Sequence, residues 1–233
     1  MTVDETSSRA RGSRCLAHAA AQSVRVSTHY SAVAMVQRIG VFGGTFDPIH
    51  VGHLVAAVNC RHSLALDRVI LMVANLPWQK VGARRLSPAM DRFALVEACV
   101  VDVEGLEAGR MEIDRGGLSY TVDTLRELGA TDPTAELFLI VGWDAASSLD
   151  TWEHWEDLRR LATLVVVNRP GSAPPLSLSA SGWKVETVDV PNLEISSTDL
   201  RQRALHGRPL DYLIPARGVE LIRARGLYCG EEC

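Results

Sequence analysis

Apolar residues fall into short continuous runs that alternate with longer amphipathic segments, beginning after Met35. Most of these runs are rich in Val, Ile and Leu, as expected of strands that are buried on both faces. The predicted strands cover residues 38–42, 68–73, 110–114, 136–142, 163–168 and 184–190. Because strands that alternate with helices form parallel sheets covered by those helices, the sequence predicts an α/β fold. We expect a Rossmann-like doubly wound parallel sheet with a small C-terminal helical part.

Helical spacing of apolar residues marks the segments between these strands. Val51, Leu54, Val55 and Val58 form one stripe, which predicts a helix over residues 51–66. Further helices are predicted to begin at Ser87–Pro88, to cover 119–129 with a stop at Gly129, and to cover 196–206 and 215–225. The last two make up the C-terminal helical part, residues 195–228.

The first 34 residues are rich in Ser, Ala and Arg and have no sustained periodicity. A secretory signal needs a continuous apolar stretch, which Arg, Ser and His interrupt here. Two interpretations stay open: a disordered tail, or a start assigned upstream of the true one. We expect residues 35–233 to form a single domain, in which the Pro- and Ser-rich segment 169–182 is an exposed loop.

Composition narrows the class of protein. The formal net charge of −4 argues against a broad nucleic-acid-binding surface, which needs a basic excess. No apolar run approaches the roughly 20 residues of a membrane-spanning helix. The five cysteines are scattered and odd in number, so they do not predict a secreted disulfide framework. We therefore expect a cytoplasmic protein with reduced thiols, although Cys229 and Cys233 could pair.

One segment, GTFDPIHVGHL (44–54), concentrates the candidate chemistry just after the first predicted strand. In open parallel sheets, ligands bind at the carboxyl ends of the strands. Gly43 and Gly44 let the backbone approach a ligand closely, and the following helix directs its N-terminal amides towards the same place. His50 and His53 lie on one side of that helix, with Gly52 leaving room for a phosphate group. This combination favours phosphate binding and phosphoryl or nucleotidyl transfer.

Other functions are less consistent with the two histidines. A metal site would require a third ligand in a clear pattern, and none is evident. The segment is neither a Walker A motif nor a GxGxxG dinucleotide-binding motif. No protein-held metal site is therefore predicted, and a metal-binding role for His50 and His53 stays open only as an alternative.

The segment GGTFDPIHVGHL resembles the HxGH signature of the nucleotidyltransferase superfamily, and the whole chain resembles the bacterial nicotinate-nucleotide adenylyltransferase family. The resemblance extends over about residues 38–228. It also rests on the segments NLPWQK (75–80), GGLSYTVDTL (116–125), VGWDAASSLDTWEHWEDL (141–158) and ISSTDLR (195–201). The loop NLPWQK departs from the family, which usually has a sequence closer to PPHK.

The resemblance implies that ATP and nicotinate mononucleotide react to give nicotinate adenine dinucleotide and pyrophosphate. Mg²⁺ would be carried with the ATP phosphates. ATP and nicotinate mononucleotide are the expected partners, without nucleic acid or membrane. The sequence does not fix the oligomeric state, and a homo-oligomer stays open.

The resemblance also assigns roles to residues. The catalytic set would be His50, His53, Lys80 and Arg201. ATP binding would involve Gly43, Gly44, Thr45, Phe46, Gly52, Ser197 and Thr198. The mononucleotide side would involve Tyr120, Thr121, Gly142, Asp144, Trp152 and Glu153. Trp152 would stack on the pyridine ring, and Asp144 would accept hydrogen bonds from ribose hydroxyls.

Several alternatives stay open at this stage. One is another superfamily enzyme, such as pantetheine-phosphate adenylyltransferase or a cytidylyltransferase. A closer one is the same fold acting on nicotinamide mononucleotide. A third is a nucleotide-binding regulatory module without turnover, against which His50, His53, Lys80 and Arg201 together argue.

Overall fold

The computed structural model describes residues 36–78, 86–168 and 182–229, which belong to one compact unit. Its main sheet has six strands: β1 (Arg38–Gly44), β2 (Arg68–Val73), β4 (Leu106–Gly109), β6 (Glu136–Gly142), β7 (Thr163–Asn168) and β8 (Val185–Asp189). A separate pair is formed by β3 (Leu76–Pro77) and β5 (Leu118–Ser119). All neighbouring strands in both sheets are parallel.

Helices connect these strands. In the described ranges they are α1 (Val51–Ser63), α2 (Ala89–Val100), α3 (Met111–Arg115), α4 (Thr121–Thr131), α5 (Trp143–Ala146), α6 (Trp155–Leu161), α7 (Ser197–Leu205) and α8 (Ala216–Ala224). A 3-10 turn covers Leu149–Thr151.

The core is divided by the sheet into two layers, as strand periodicity requires. In β2, Leu71 and Val73 pack into one layer, with residues of α1, α2 and α8. The intervening Ile70 and Met72 pack into the other layer, with residues of α4 and α6. Helices thus cover both faces, which confirms the predicted doubly wound α/β fold.

The strand order is β4-β2-β1-β6-β7-β8. The chain leaves β1 in one direction towards β2 and β4, then returns to β6 and continues in the other direction. This reversal places a crevice between the carboxyl ends of β1 and β6, at Gly44 and Gly142, which is where open parallel sheets bind ligands.

The strongly apolar strands lie where the sequence predicts them: β2, β6 and β7 have the predicted limits, β1 extends two residues further, and β8 is one residue shorter at each end. Helix α1 begins at Val51 as predicted but ends at Ser63 instead of 66. Helix α7 follows Ser196, whose hydroxyl accepts a hydrogen bond from the amide of Asp199 at 3.1 Å.

The strand predicted over 110–114 is wrong, because Met111–Arg115 forms helix α3. Arg110 and Asp114, four residues apart, form an ion pair at 2.7 Å, and Gly116 ends the helix with a φ of 72°. The strand at this place is β4, which has little apolar pattern of its own. Its Gly109 lies so close to β2 that a Cβ there would be 2.6 Å from Ile70.

Two predicted helix signals are also wrong. Gly129 does not stop a helix, because α4 continues to Thr131. Ser87 does not cap α2: Pro88 occupies that position, and the backbone of Ser87 bonds to Asp47 and Arg92 instead.

In the part of the chain that the structure describes, none of the helices has the length and apolarity to cross a membrane. The predictions for residues 1–34, Lys80, the segment 169–181 and Cys233 lie outside the described residues.

Candidate active site

A cavity of about 460 Å³ opens at the carboxyl ends of β1 and β6. Its lining brings together segments from both halves of the sheet and from the first turn of α7. Among the predicted site residues, the lining includes Gly43, Gly44, Thr45, Phe46, His53, Thr121, Gly142, Trp152, Ser197, Thr198 and Arg201.

Five other predicted residues are described but are not part of this lining. His50 and Gly52 lie at the start of α1, behind His53. Tyr120 precedes α4 and packs against the core layer around that helix. Asp144 is exposed in α5, and the exposed Glu153 lies 3.4 Å from the ring of His154. Direct contacts of these residues with a substrate stay predictions.

His53 faces the cavity in a fixed orientation. Its Nδ1 accepts a hydrogen bond from the backbone amide of His50 at 3.3 Å. In the neutral imidazole, the proton therefore lies on Nε2. Phe46 packs edge-on against the same ring, with centroids 5.0 Å apart. His53 can thus present one N–H donor to a phosphate oxygen.

His50 forms the inner member of the pair. Its ring lies beside that of His53, with centroids 3.7 Å apart and an interplanar angle of 31°. His50 is only 7% exposed, and this burial lowers the pKa of its imidazole to about 4. The ring is therefore neutral at physiological pH and adds no charge beside His53.

Gly52, predicted to leave room for a phosphate group, lies directly against the ring of His50. A Cβ at this position would lie 3.0 Å from Nδ1 and 3.1 Å from Cε1 of His50. The space beside Gly52 is thus occupied by the His50 ring, and the glycine between the two histidines allows that ring to fold back over the helix.

A side chain at Gly44 would likewise meet a neighbouring ring, that of Phe46. A Cβ at Gly44 would lie 2.6 Å from the Phe46 ring, and Phe46 itself has a φ of 47°. This left-handed conformation turns the chain after β1 and brings the phenyl ring beneath the strand end. Gly43, by contrast, has open space where its Cβ would be.

Arg92 is a buried residue that the sequence prediction missed. It is 1% exposed, and its guanidinium donates to the carbonyls of Thr45 (2.8 Å), Ala74 (2.7 Å), Asn75 (2.9 Å) and Ser87 (2.9 Å). One side chain therefore joins the turn after β1, the end of β2 and the segment that leads into α2. A signal was available, because Arg92 shares an apolar helix stripe with Leu95, Val96 and Cys99.

Arg201 approaches the cavity from α7. Its Nη1 donates to the carbonyl of Asp47 at 2.8 Å, and its Nη2 donates to the hydroxyl of Thr198 at 3.2 Å. The hydroxyl of Ser197 donates to the carbonyl of Pro48 at 2.8 Å. The first turn of α7 is thus attached to the turn after β1, and together they form one wall of the cavity.

Trp152 and Thr121 also line the cavity. The indole Nε1 of Trp152 is buried without a hydrogen-bond partner in the described ranges. Glu112 is also buried in this lining, where it accepts a hydrogen bond from the hydroxyl of Thr124 at 2.8 Å. Sequence reasoning missed Glu112, because it placed this segment in a strand. Trp155 packs against the neighbouring core layer.

The sequence matches the cytidylyltransferase-like family over residues 41–203. A protein of Corynebacterium kroppenstedtii named "Probable nicotinate-nucleotide adenylyltransferase" is 42% identical over 206 residues, covering 88% of this chain and 94% of that protein. A protein of Streptomyces coelicolor with the same name is 45% identical over 190 residues, covering 81% of this chain and all of that protein.

The chain belongs to the nicotinate-nucleotide adenylyltransferase family, within the cytidylyltransferase-like proteins.

Solved structures support the same fold. Nicotinic acid mononucleotide adenylyltransferase of Plasmodium falciparum, complexed with NaAD, superposes with a TM-score of 0.66 at 16% sequence identity. The match covers 82% of this chain and 97% of that one. At this low identity the likeness concerns the fold, whereas the family assignment rests on the closer relatives.

Proposed function

We propose that this protein transfers the adenylyl group of ATP to nicotinate mononucleotide, giving nicotinate adenine dinucleotide and pyrophosphate. The observation that carries the proposal is the composition of one cavity. Thr45, His53, Thr198 and Arg201 line its polar part, and Trp152 lies in the same lining. A triphosphate and an aromatic ring could therefore be held side by side. Membership of the nicotinate-nucleotide adenylyltransferase family supports the same chemistry.

The reaction requires no covalent intermediate with the protein. A phosphate oxygen of the mononucleotide attacks the α-phosphorus of ATP in line, an O–P bond forms, and the bond to the β-phosphate oxygen breaks to release pyrophosphate. Negative charge rises on the oxygens around the phosphorus and on the leaving group. The Nε2–H of His53 and the guanidinium of Arg201, which both line the cavity, would stabilise this charge. Lys80 stays a predicted contributor.

The α1 and α7 helix starts reinforce the polar part. Helix α1 begins directly after residues 47–50, and the first residue of α7 is hydrogen-bonded to Pro48 in the same turn. The N-terminal amides of both helices therefore favour an anion near this turn. Ser197 and Thr198 add hydroxyl groups at the first turn of α7.

The residues fit a Mg²⁺ ion that arrives with ATP. In the described ranges, no three His, Cys, Asp or Glu side chains come together as a ligand set. A Mg²⁺ ion would then be held by phosphate oxygens and water, as is common for this ion. Bound in this way, it would neutralise charge on the triphosphate. We further propose a cytoplasmic location, with ATP and nicotinate mononucleotide as the partners and no role for nucleic acid or membrane.

Pyrophosphate release from ATP and Mg²⁺ tests the function, with nicotinate mononucleotide, nicotinamide mononucleotide and 4′-phosphopantetheine as alternative acceptors. We expect strong preference for nicotinate mononucleotide. Equal turnover with nicotinamide mononucleotide would keep the chemistry and overturn the acceptor preference. No turnover with any acceptor, from folded protein that binds ATP, would favour a regulatory module and overturn the proposal.

A further inference from the structure

The carboxylate of Asp47 is buried at the centre of the turn after β1. The residue is 1% exposed. Its Oδ1 accepts a hydrogen bond from the Tyr228 hydroxyl at 2.9 Å, and its Oδ2 faces the backbone amide of Ser87 at 3.5 Å. Three segments that are distant in sequence therefore meet at this side chain: the turn after β1, the segment that leads into α2 at Ser87, and the residues after α8 at Tyr228.

The backbone of the same turn holds the phosphate-binding wall of the cavity. The carbonyl of Asp47 accepts from Arg201, and the carbonyl of Pro48 accepts from Ser197. Any displacement of the Asp47–Pro48 turn would therefore displace the guanidinium of Arg201.

Tyr228 reaches this turn because of the way α8 ends. Gly226 has a φ of 59°, and the amide of Leu227 bonds back to the carbonyl of Ile222 at 3.0 Å. This cap reverses the chain. Tyr228 then adopts a φ of 64°, an unfavourable conformation for a residue with a side chain. Strained conformations persist where surrounding contacts impose them, and here the side chain packs against the core while its hydroxyl bonds to Asp47.

The Tyr228 hydroxyl is also chemically suited to act as a permanent donor. Its burial, followed by the nearby charge of Asp47, raises the pKa of Tyr228 above its ordinary value. The proton therefore stays on the tyrosine throughout the physiological range, and the bond to the carboxylate is maintained.

We propose that Tyr228 is a positioning residue for adenylyl transfer, which acts through Asp47 to hold Arg201 in place. Tyr228 lies 181 residues from Asp47 in sequence, outside the cavity lining and outside every motif that the sequence resemblance uses. The inference rests on the proposed function. Wild-type turnover with nicotinate mononucleotide is measured first, so that failure of the reaction is distinguished from failure of the positioning.

Tyr228→Phe removes the hydroxyl and keeps the ring. We expect kcat to fall about tenfold, with the KM for nicotinate mononucleotide within twofold of the wild-type value, because the mononucleotide side of the cavity is not touched. The matched control is Tyr212→Phe. Tyr212 also has a left-handed backbone, with a φ of 63°, but it is 94% exposed. The kcat of the Tyr212→Phe variant should therefore equal that of the wild-type protein.

Two further variants separate positioning from simple stabilisation. In an Arg201→Ala background, Tyr228→Phe should change turnover by less than twofold, because the residue through which it acts is already absent. The double variant Asp47→Asn, Tyr228→Phe should have a kcat no lower than that of the less active single variant. All assays are made well below each melting temperature, with folding checked by circular dichroism.

A kcat for Tyr228→Phe within twofold of the wild-type value would overturn the proposal. The proposal would also be overturned if Tyr228→Phe lowered kcat as much in the Arg201→Ala background as in the wild-type protein, since Tyr228 would then act independently of Arg201. A lower melting temperature with unchanged kcat would assign Tyr228 a structural role alone.

Discussion

The backbone amide of His50 bonds to Nδ1 of His53 at 3.3 Å, beneath two imidazole rings whose centroids are 3.7 Å apart. The two histidines of the signature are therefore not equivalent. His53 lines the cavity and has its Nε2 proton set by this bond, whereas the ring of His50 is buried beside it. This asymmetry leads to separate expectations for the two residues.

His53→Ala should lower kcat by roughly 10²–10³-fold, the usual effect of removing one donor to a transition-state oxygen. The fold should survive, because the residue is only partly buried. His62→Ala is the control for replacing a histidine by alanine in the same helix, because His62 lies at an exposed position of α1. Steady-state kinetics would contradict the assignment if the His53 variant retained wild-type turnover.

Gly52→Ala should reduce both stability and turnover, because the new methyl group would lie 3.0 Å from the His50 ring and displace it. The control is Gly129→Ala in α4, where an added methyl group would meet nothing within 4 Å beyond the backbone of its own helix. That change should stabilise the protein by about 0.5–1 kcal/mol, since alanine is the better helix former. The melting temperatures of the two variants test these expectations. Equal shifts in melting temperature would show that the His50 ring accommodates the methyl group.

The burial of His50 predicts a stability that falls in acid. Its pKa is about 4 in the folded protein, against an ordinary 6.5. As the pH falls below 6.5, His50 therefore binds a proton in the unfolded chain but not yet in the folded protein. The folded protein loses stability until the pH reaches the folded pKa. Between pH 7 and pH 5 the free energy of unfolding should drop by about 2 kcal/mol from this residue alone.

Denaturant unfolding at the two pH values measures this loss. His50→Gln removes the titrating group, so its stability should depend less on pH than that of the wild-type protein. An identical pH dependence in both proteins would show that another group is responsible.

Arg92→Lys should destabilise the protein by about 2–4 kcal/mol, because one ammonium group cannot reach the four carbonyls that the guanidinium serves. Arg217→Lys is a suitable control. Arg217 forms an exposed ion pair with Asp102 at 2.9 Å, and such pairs contribute about 1 kcal/mol or less. Comparable losses of unfolding free energy in the two variants would contradict the central role of Arg92.

Trp152→Ala should mainly raise the KM for nicotinate mononucleotide, by about tenfold, because it removes the aromatic surface on that side of the cavity. The KM for ATP should stay within twofold. A variant in which only the KM for ATP rose would show that the indole lies on the adenosine side instead.

Much of the fold could be predicted because its signals are local. The segments 68–73, 136–142 and 163–168 are short, mostly apolar runs that are typical of buried strands. Ser196 caps its helix through a contact three residues away. β4 could not be found in this way: it is short and weakly apolar, and its pairing with β2, where Gly109 fits tightly, is a contact between distant parts of the sequence.

The sequence by itself determined the class of fold, the position of the histidine pair after the first strand, and the resemblance to nucleotidyltransferases. Only the tertiary structure decided which histidine faces the cavity, which side chain lies against Gly52, and how Arg92, Asp47 and Tyr228 hold the surrounding turns. The physical reason is the range of the interactions. Periodicity and capping act over a few residues, whereas the bond between Asp47 and Tyr228 joins positions that become neighbours only when the chain folds.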